Sequence, residues 1–233
     1  MLLNVADLIV EIYPKYNMLK TRSVPYIYNG DKKPDIVVTL SEQFFIDRQK
    51  ENPNMTVDEC EYFFTASYFY TEIIKFDGVM LHASAVAYNN FAYLFSADSG
   101  TGKSTHTHLW LKKFPEAEIL NDDKPAIRLI DGKFYAYGTP WSGKFDESKN
   151  EKVEIAGITF LSRGENNVIS EVTGDSVTID FMNQTVRPVK REYMIKFMEI
   201  VDGILSNVPL YRFECNISLE AVETSYNAMK PRR

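Results

Sequence analysis

The stretch FAYLFSADSGTGKSTHTHL, residues 91–109, decides how this chain is organised. It begins as an apolar run, continues through a loop of small residues, and leads into a segment with apolar side chains at helical spacing, Trp110, Leu111 and Phe114. The sequence therefore predicts a buried strand, a glycine-rich turn and a helix in immediate succession. The remaining elements can be placed relative to that unit.

The loop ADSGTGKS follows the phosphate-binding pattern G-x-x-x-x-G-K-[ST], except that Ala97 stands where the first glycine is expected. Gly100 and Gly102 allow the tight turn in which successive N–H groups converge on phosphate oxygens. The helix that follows directs its positive end at the same oxygens. Lys103 can reach the terminal phosphates, and Ser104 can place a hydroxyl on Mg²⁺.

We expect a phosphate-bearing cofactor to bind along this loop. The residues predicted to bind it are Ser99, Gly100, Thr101, Gly102, Lys103, Ser104 and Thr105. The alternative is a glycine turn that carries Lys-Ser by chance, and the departure at Ala97 keeps that alternative open. The strand before the loop and the helix after it favour the phosphate-binding interpretation, because the motif requires both.

Length, composition and charge exclude several classes of protein. The 233 residues suit one large domain or two small ones, and 45% hydrophobic with 25% charged residues is typical of a globular chain. A net charge of −6 argues against a general nucleic-acid binder or a binder of anionic membranes, because both need a basic face. Cys60 and Cys215 form no metal-binding pair and are interpreted as buried thiols in a reducing compartment.

No apolar run in the sequence is long enough to span a membrane. The apolar run near the start contains Asp7 and Glu11 and has neither a basic beginning nor a cleavage site of small residues, so no signal peptide is predicted. We therefore expect a cytoplasmic protein that has neither nucleic acid nor a membrane as its partner.

The order of patterns suggests two portions. Residues 1–76 are predicted to form an N-terminal α+β portion packed on the core, and residues 77–233 the domain that carries the loop, with a single domain overall as the alternative. A strand is predicted over residues 5–12. The capping-box spacing of Thr56 and Glu59 predicts the start of a long helix. Nothing in residues 1–76 suggests a reaction.

The segment before the loop is unusual for a nucleotide-binding protein. Residues 79–86 are predicted to form one strand with His82 inside it, and Asn89-Asn90 is predicted to be a hairpin turn into the strand that feeds the loop. Two strands joined by a hairpin depart from the strand–helix alternation of parallel sheets. The pattern therefore favours an α/β fold with a mixed or antiparallel sheet.

Two adjacent carboxylates, Asp122 and Asp123, follow a short predicted strand downstream of the loop helix. One can bind Mg²⁺, directly or through water, while the other orients or deprotonates an attacking hydroxyl. The alternative is a solvated Asp-Asp turn. The phosphate loop earlier in the chain favours the functional interpretation.

A second loop, GTPWSGK, covers residues 138–144. Lys144 can stabilise charge on a transferring phosphoryl group, and the alternative is a structured surface loop with Trp141 packed inward.

His106 and His108 lie two positions apart on the loop helix and so face different sides. Both are predicted to be structural or exposed.

Three of these stretches together resemble one family, the catalytic domain of HPr kinase/phosphorylase and its small relatives with a PEP carboxykinase-like P-loop fold. They are Leu81-His82-Ala83, ADSGTGKST at residues 97–105, and LNDD at residues 120–123. In that family the loop has the form G-x-S-G-x-G-K-[ST], a histidine precedes it on a strand, and an Asp-Asp pair follows it. The specific motifs cover roughly residues 78–145.

The resemblance implies a mixed, strongly bent sheet with the phosphate loop at its centre and helices on its flanks. It also implies ATP and Mg²⁺ as cofactors, with Ser104 and Asp123 as metal ligands. Asp122 would be the base or the orienting carboxylate, although the two aspartates could exchange these roles. His82 would assist proton movement or a second metal.

The activity implied by this resemblance is an ATP-dependent kinase that transfers the γ-phosphoryl group to a hydroxyl, that of serine in a peptide, a protein or the free amino acid. The arginine-bearing signature of the true HPr enzymes is missing, and TPWSGK at residues 139–144 occupies its place, which puts HPr itself in doubt as the acceptor. The alternatives are a nucleotide-binding regulatory protein without turnover, and a phosphorylase or lyase. Relatives often form oligomers, so a homo-oligomer is compatible with the sequence.

Overall fold

The computed structural model describes residues 1–231, so the last two residues of the predicted catalytic domain lie outside the described part of the chain. The strands within it are β1 (Leu2–Val5), β2 (Leu8–Glu11), β3 (Ile36–Val37), β4 (Gly78–Met80), β5 (Ala83–Tyr88), β6 (Phe91–Ser96), β7 (Glu118–Asn121), β8 (Ala126–Ile130), β9 (Lys133–Tyr137), β10 (Lys152–Arg163), β11 (Val168–Val172) and β12 (Leu210–Cys215). The helices are α1 (Asn17–Arg22), α2 (Glu42–Glu51), α3 (Val57–Glu72), α4 (Lys103–Lys113), α5 (Gly174–Asn183), α6 (Arg191–Asn207) and α7 (Leu219–Met229).

The main sheet is mixed, one of the two arrangements that the sequence pattern favoured, and it is curled, as the family resemblance implied. Its described part has nine strands, with the order β4-β8-β9-β10-β6-β5-β7 and with β12 and β11 branching from β10. Strand β10 is twelve residues long and pairs first with β9, antiparallel, and then with β12, parallel, along the same edge. Its other edge pairs in parallel with β6, the strand that feeds the phosphate loop. One long strand therefore supports the loop and bends the sheet.

Strand β6 is buried on both faces, which explains its nearly continuous apolar sequence. Ala92 and Leu94 face one core, which α5 and α6 cover with Phe181, Phe197 and further apolar side chains. The alternate residues Tyr93 and Phe95 face a second core, in which α4 contributes Trp110 and α7 contributes Val222. Because side chains alternate along a strand, a single strand anchors helices on both sides of the loop.

The N-terminal residues build a small three-stranded sheet and share a third core with the main sheet. The single strand predicted over residues 5–12 is wrong, because Ala6 and Asp7 both adopt positive φ and turn the chain into the β1–β2 hairpin. Helix α3 begins with the predicted capping box of Thr56 and Glu59. Its Phe69 stacks on Trp141 at a ring separation of 4.8 Å, which ties the N-terminal portion to the second loop.

The strand predicted over residues 79–86 is also wrong, because it is two strands. Strand β4 pairs with β8, whereas β5 pairs with β6, and the chain leaves the sheet between them at Leu81 and His82. The backbone N–H of His82 donates to the carbonyl of Gln184 at 2.6 Å instead of to a neighbouring strand. His82 therefore lies at a break in the sheet and not within a strand.

The predicted hairpin before the loop is confirmed. Asn89 and Asn90 have φ of 51° and 67° and connect β5 to β6 in antiparallel register. Asparagine tolerates this left-handed conformation better than most residues, which is why the turn was readable from the sequence. Within the described residues, no helix is both long and apolar enough to cross a membrane.

Trp141 should be a main support of the second loop, because its ring is fully buried against Phe69 and Tyr70 and its indole N–H donates to Thr65 at 3.3 Å. Trp141→Ala should lower the free energy of unfolding by about 3–5 kcal/mol, measured by urea denaturation. Phe145→Ala, which removes a 55% exposed aromatic ring directly after that loop, is the matched control and should change stability little. A loss below about 1 kcal/mol for Trp141→Ala would contradict this packing.

Candidate functional site

The phosphate loop adopts the conformation that its glycines permit. Gly100 and Gly102 have φ of 81° and 123°, in the region that glycine enters without strain. A Cβ added to either residue would meet no atom within 4 Å, so the loop faces open space. Ala97 is not among the positive-φ residues and is 7% exposed against the core, so the departure from the glycine pattern costs no backbone strain.

One cavity of 450 Å³ lies in front of this loop and brings together ten of the eleven predicted site residues. We call it the loop cavity. The predicted residues that line it are His82, Ser99, Gly100, Gly102, Lys103, Ser104, Thr105, Asp122, Asp123 and Lys144. Thr101 is the exception, because it lies on the other side of the loop and lines a different cavity.

Lys103 opens helix α4 and is 7% exposed. Its ammonium donates to the carbonyl oxygen of Ala97 at 2.8 Å, so the lysine folds back over its own loop. Burial lowers the pKa of Lys103, while the charges of Asp123 and Asp98 oppose that shift. The ammonium is thus held beside the phosphate loop by backbone carbonyls, and a phosphate oxygen could replace them as its partner.

Asn121 shapes the turn that presents the two carboxylates. It ends strand β7, and its side-chain oxygen accepts from the backbone N–H groups of Asp123, at 3.0 Å, and Lys124, at 2.6 Å. Its amide nitrogen donates to the carbonyl of Thr139. This Asx-type turn directs the chain out of the sheet at Asp122, next to the loop cavity.

Asp122 is 4% exposed, and its Oδ1 accepts from the backbone N–H of Gly143 at 2.5 Å. Burial raises the pKa of Asp122 against the effect of this hydrogen bond, and the charges of Asp123 and Glu147 add to the rise. A carboxyl group in this environment binds protons more readily than an ordinary aspartate. That property suits a group that accepts a proton during a reaction.

Asp123 has the opposite environment. Its Oδ1 lies 3.1 Å from Nε2 of His82, and its Oδ2 contacts the ammonium of Lys124. Burial alone would raise the pKa of Asp123, but the hydrogen bond from His82 and the charge of Lys124 lower it to about 2. The pKa values of the two neighbouring aspartates are therefore shifted in opposite directions, which favours the protonated form of Asp122 and the ionised form of Asp123.

Gln184 is a site residue that sequence reasoning missed. Its amide nitrogen donates to Asp98 of the phosphate loop at 2.8 Å, and this fixes the amide so that its oxygen accepts from Nδ1 of His82 at 2.7 Å. The His82 ring is thus held at both nitrogens, with Nδ1 beside Gln184 and Nε2 beside Asp123. The chain Asp98–Gln184–His82–Asp123 thus joins the phosphate loop to the carboxylates. No local pattern reveals it, because Gln184 follows His82 by 102 residues.

Arg22 was also missed. Its Nη1 donates to the carbonyls of Ser142 at 3.1 Å and Gly143 at 3.0 Å, and its Nε pairs with Asp146 at 3.2 Å. The guanidinium of the N-terminal portion therefore holds the segment whose Gly143 binds Asp122. This contact gives residues 1–76 a connection to the site that their sequence does not suggest.

The remaining predicted positions fall in different surroundings. Trp141 is packed inward, while Lys144 is exposed at the cavity with its ammonium 5.1 Å from the ring centre of Phe145. His106 lies on the buried face of α4, and burial lowers its pKa to about 4. His108 is half-buried, with Nδ1 2.6 Å from the carbonyl oxygen of Ser104 and Nε2 3.1 Å from a Glu147 carboxylate oxygen. Both histidines support the structure around α4.

The oxygen atoms that line the loop cavity suit a magnesium ion that is bound at the same time by a phosphate group. Ser104, Asp122 and Asp123 offer hard oxygen atoms, which Mg²⁺ prefers. Within residues 1–231, no group of three or more His, Cys, Asp or Glu residues could hold a metal ion alone. That is compatible with Mg²⁺ in phosphoryl-transfer sites, where phosphates and water complete the coordination shell.

Comparison with known proteins gives little beyond this geometry. No family model matches the chain, and no curated protein matches it. Among solved structures, it is similar to the HPr(Ser) kinase/phosphatase from Coxiella burnetii, with a TM-score of 0.40, 13% sequence identity, and coverage of 64% of this chain and 94% of that one. A similarity this distant decides nothing about chemistry, so the chemistry rests on the residues of the cavity.

Arg22 should control the order of the segment that binds Asp122. In Arg22→Ala, the amides of residues 142–146 should exchange hydrogen for deuterium at least about tenfold faster, because the guanidinium contacts to Ser142, Gly143 and Asp146 are lost. Arg22→Lys should recover only part of the protection, since an ammonium cannot reproduce the planar fork. Arg48→Ala, at a surface ion pair on α2, is the control. Unchanged exchange in Arg22→Ala would show that other contacts hold the segment.

Proposed function

We propose that this protein is an ATP-dependent phosphotransferase that moves the γ-phosphoryl group to a hydroxyl acceptor. One observation carries the proposal: a single cavity places Lys103 and Ser104 of the phosphate loop together with the Asp122-Asp123 pair and Lys144. Phosphoryl transfer needs donors for the phosphates, oxygen ligands for a metal, and a group that orients or deprotonates the acceptor. Each of these has a candidate in that cavity.

The phosphate loop would bind the triphosphate of ATP. Its backbone N–H groups and the N-terminus of α4 would donate to phosphate oxygens, and Lys103 would exchange the Ala97 carbonyl for a phosphate oxygen. Ser104 and Asp123 would hold Mg²⁺, and this ion, when bound, neutralises phosphate charge. The low pKa of Asp123 keeps the carboxylate ionised for that role over the physiological range.

Asp122 would act on the acceptor hydroxyl. Its raised pKa favours proton uptake, and its position beside Asp123 places it next to the proposed metal ligand. Lys144, exposed at the cavity, would stabilise the charge on the phosphoryl group during transfer. His82, held by Gln184 and Asp123, would keep the Asp123 carboxylate in place and could pass a proton.

The acceptor is proposed to be serine, in a peptide, a protein or the free amino acid. The motif resemblance of the phosphate loop and the Asp-Asp pair supports this choice. Lys144 and Phe145 line the loop cavity and are exposed, so a peptide or protein acceptor would contact them from outside. A nucleotide-binding protein without turnover is the alternative that the following variants separate.

Lys103→Ala should reduce phosphoryl transfer from ATP by at least about 100-fold, because the variant loses the only loop side chain proposed to neutralise the terminal phosphates. The fold should persist, since the ammonium bonds mainly to a carbonyl of its own loop. Circular dichroism checks the fold, and Lys112→Ala, an exposed lysine of the same helix, is the matched control. Intact transfer by Lys103→Ala would refute the proposed function.

Asp122→Asn should retain ATP binding but lose transfer by about 100- to 10,000-fold, the usual contribution of a general base. In the unaltered protein, the rate of transfer should fall as the pH is lowered through the pKa of Asp122, because the ionised carboxyl is the active form. Since that pKa is raised, the fall should begin at a higher pH than an ordinary aspartate would give. Equal transfer by both proteins would assign the base to another residue.

A further inference from the structure

His108 connects helix α4 to residues 143–147, which we call the rim segment. Its Nδ1 lies 2.6 Å from the carbonyl oxygen of Ser104, and since a carbonyl oxygen can only accept, Nδ1 donates this hydrogen bond. Its Nε2 lies 2.9 Å and 3.1 Å from the two carboxylate oxygens of Glu147. Both ring nitrogens have partners, so the imidazole has a defined orientation between the helix and the segment.

The rim segment encloses Asp122 from both of its ends. At one end, the carbonyl oxygen of Glu147 accepts from the backbone N–H of Asp122 at 3.1 Å. At the other end, the backbone N–H of Gly143 donates to the Asp122 carboxylate. Glu147 therefore contacts Asp122 through its backbone and His108 through its side chain. A shift of the rim segment would move the carboxyl group that we propose as the base.

The middle of the rim segment also rests on His108. The ring of Phe145 meets the imidazole edge-on, with 5.5 Å between the ring centroids. The ammonium of Lys144 in turn lies 5.1 Å from the centre of the Phe145 ring. Both Lys144 and Phe145 line the loop cavity. The imidazole thus supports the aromatic ring over which the Lys144 ammonium lies.

Arg22 and His108 hold the rim segment to different parts of the molecule. Arg22 ties it to the N-terminal portion, through Gly143 and Asp146. His108 ties it to α4, the helix that begins with Lys103 and Ser104. A half-buried ion pair of this kind contributes little to stability, so its importance lies in the geometry that it selects.

We propose that His108 is a positioning residue that sets the distance between the two sides of the loop cavity. One side carries Lys103 and Ser104, which would bind the phosphates and the metal, and the other carries Asp122 and Lys144. This inference rests on the proposed function, because that function gives each side its role. His108 acts only through the rim segment. Phosphoryl transfer depends on such placement, since a displacement of about 1 Å can lower a rate about 100-fold.

Two substitutions separate the contacts of the imidazole. The amide nitrogen of His108→Gln has about the reach of Nε2 and can donate to Glu147, whereas that of His108→Asn reaches only as far as Nδ1 and can donate to the Ser104 carbonyl. Because the link to Glu147 is the one that holds the rim segment, the glutamine variant should resemble the unaltered protein and the asparagine variant should not.

Hydrogen–deuterium exchange measures the position of the segment without any acceptor. The amides of Asp122 and of residues 143–147 should exchange at least about tenfold faster in His108→Asn, because the link to α4 is lost, and at nearly the original rate in His108→Gln. Lys113→Ala is the matched control, since it removes an ion pair between α4 and Glu223 of α7, away from the rim segment. It should leave these amides unchanged.

Transfer from γ-labelled ATP to a serine-containing peptide separates a positioning role from a purely structural one. His108→Asn should lower kcat about 10- to 100-fold, and His108→Gln should restore most of that loss. The affinity for ATP with Mg²⁺, measured by isothermal titration calorimetry, should be the same in all variants, because the phosphate loop is unaltered.

Equal exchange rates in the asparagine and glutamine variants would overturn the proposal. So would faster exchange in His108→Asn without a loss of kcat, or a loss of ATP affinity that matches the loss of kcat. Absence of transfer by the unaltered protein to this peptide and to every other acceptor would refute the proposed function and the role of His108 in it. The exchange rates would still decide separately whether His108 holds the rim segment.

Discussion

The hydrogen bond from the Gly143 backbone to Asp122 is the contact on which the site depends. A carboxyl group that is 4% exposed cannot remain in the structure without a partner, and Gly143 provides it at 2.5 Å. A Cβ on residue 143 would lie 2.8 Å from Asp122 Oδ2, so a larger residue there would push the carboxylate out of its present position. The segment that carries Gly143 must therefore be held in place, and distant parts of the chain hold it. Arg22 binds its carbonyls, and Trp141 anchors it in the core shared with α3.

The same arrangement explains why two adjacent aspartates have opposite proton affinities. Asp122 is buried and accepts from backbone N–H groups, while Asp123 meets His82 and Lys124. The strand end and the Asn121 turn alone would make a symmetric pair of solvated carboxylates. Their separate surroundings come from the neighbouring Lys124 and from two distant places in the chain, the second loop beside Asp122 and the break between β4 and β5, where Gln184 holds His82 beside Asp123. The proposed division of work between a base and a metal ligand follows from those surroundings.

Local patterns predicted the parts of this structure that depend on local physics. The glycines of the phosphate loop, the capping box at Thr56, the turn at Asn89-Asn90 and the carboxylates after β7 each follow from residue types at short spacing. The errors arise where contacts override local preference. Residues 79–86 are apolar enough for one strand, yet the sheet requires β4 and β5 to pair with different partners, so His82 leaves it. Arg22 and Gln184 act through partners about a hundred residues away, and a single sequence carries no sign of such pairs.

The central claim, that the loop cavity transfers a phosphoryl group, is tested most directly by following the label of γ-labelled ATP. The full chain would be incubated with Mg²⁺ and, separately, with free serine, a serine-containing peptide and an HPr-type protein. The account predicts label in at least one acceptor, in a bond with the acid stability of a serine phosphate ester. Tight ATP binding with no label in any acceptor and no release of labelled phosphate would contradict it, and would leave a protein that binds the nucleotide without turnover.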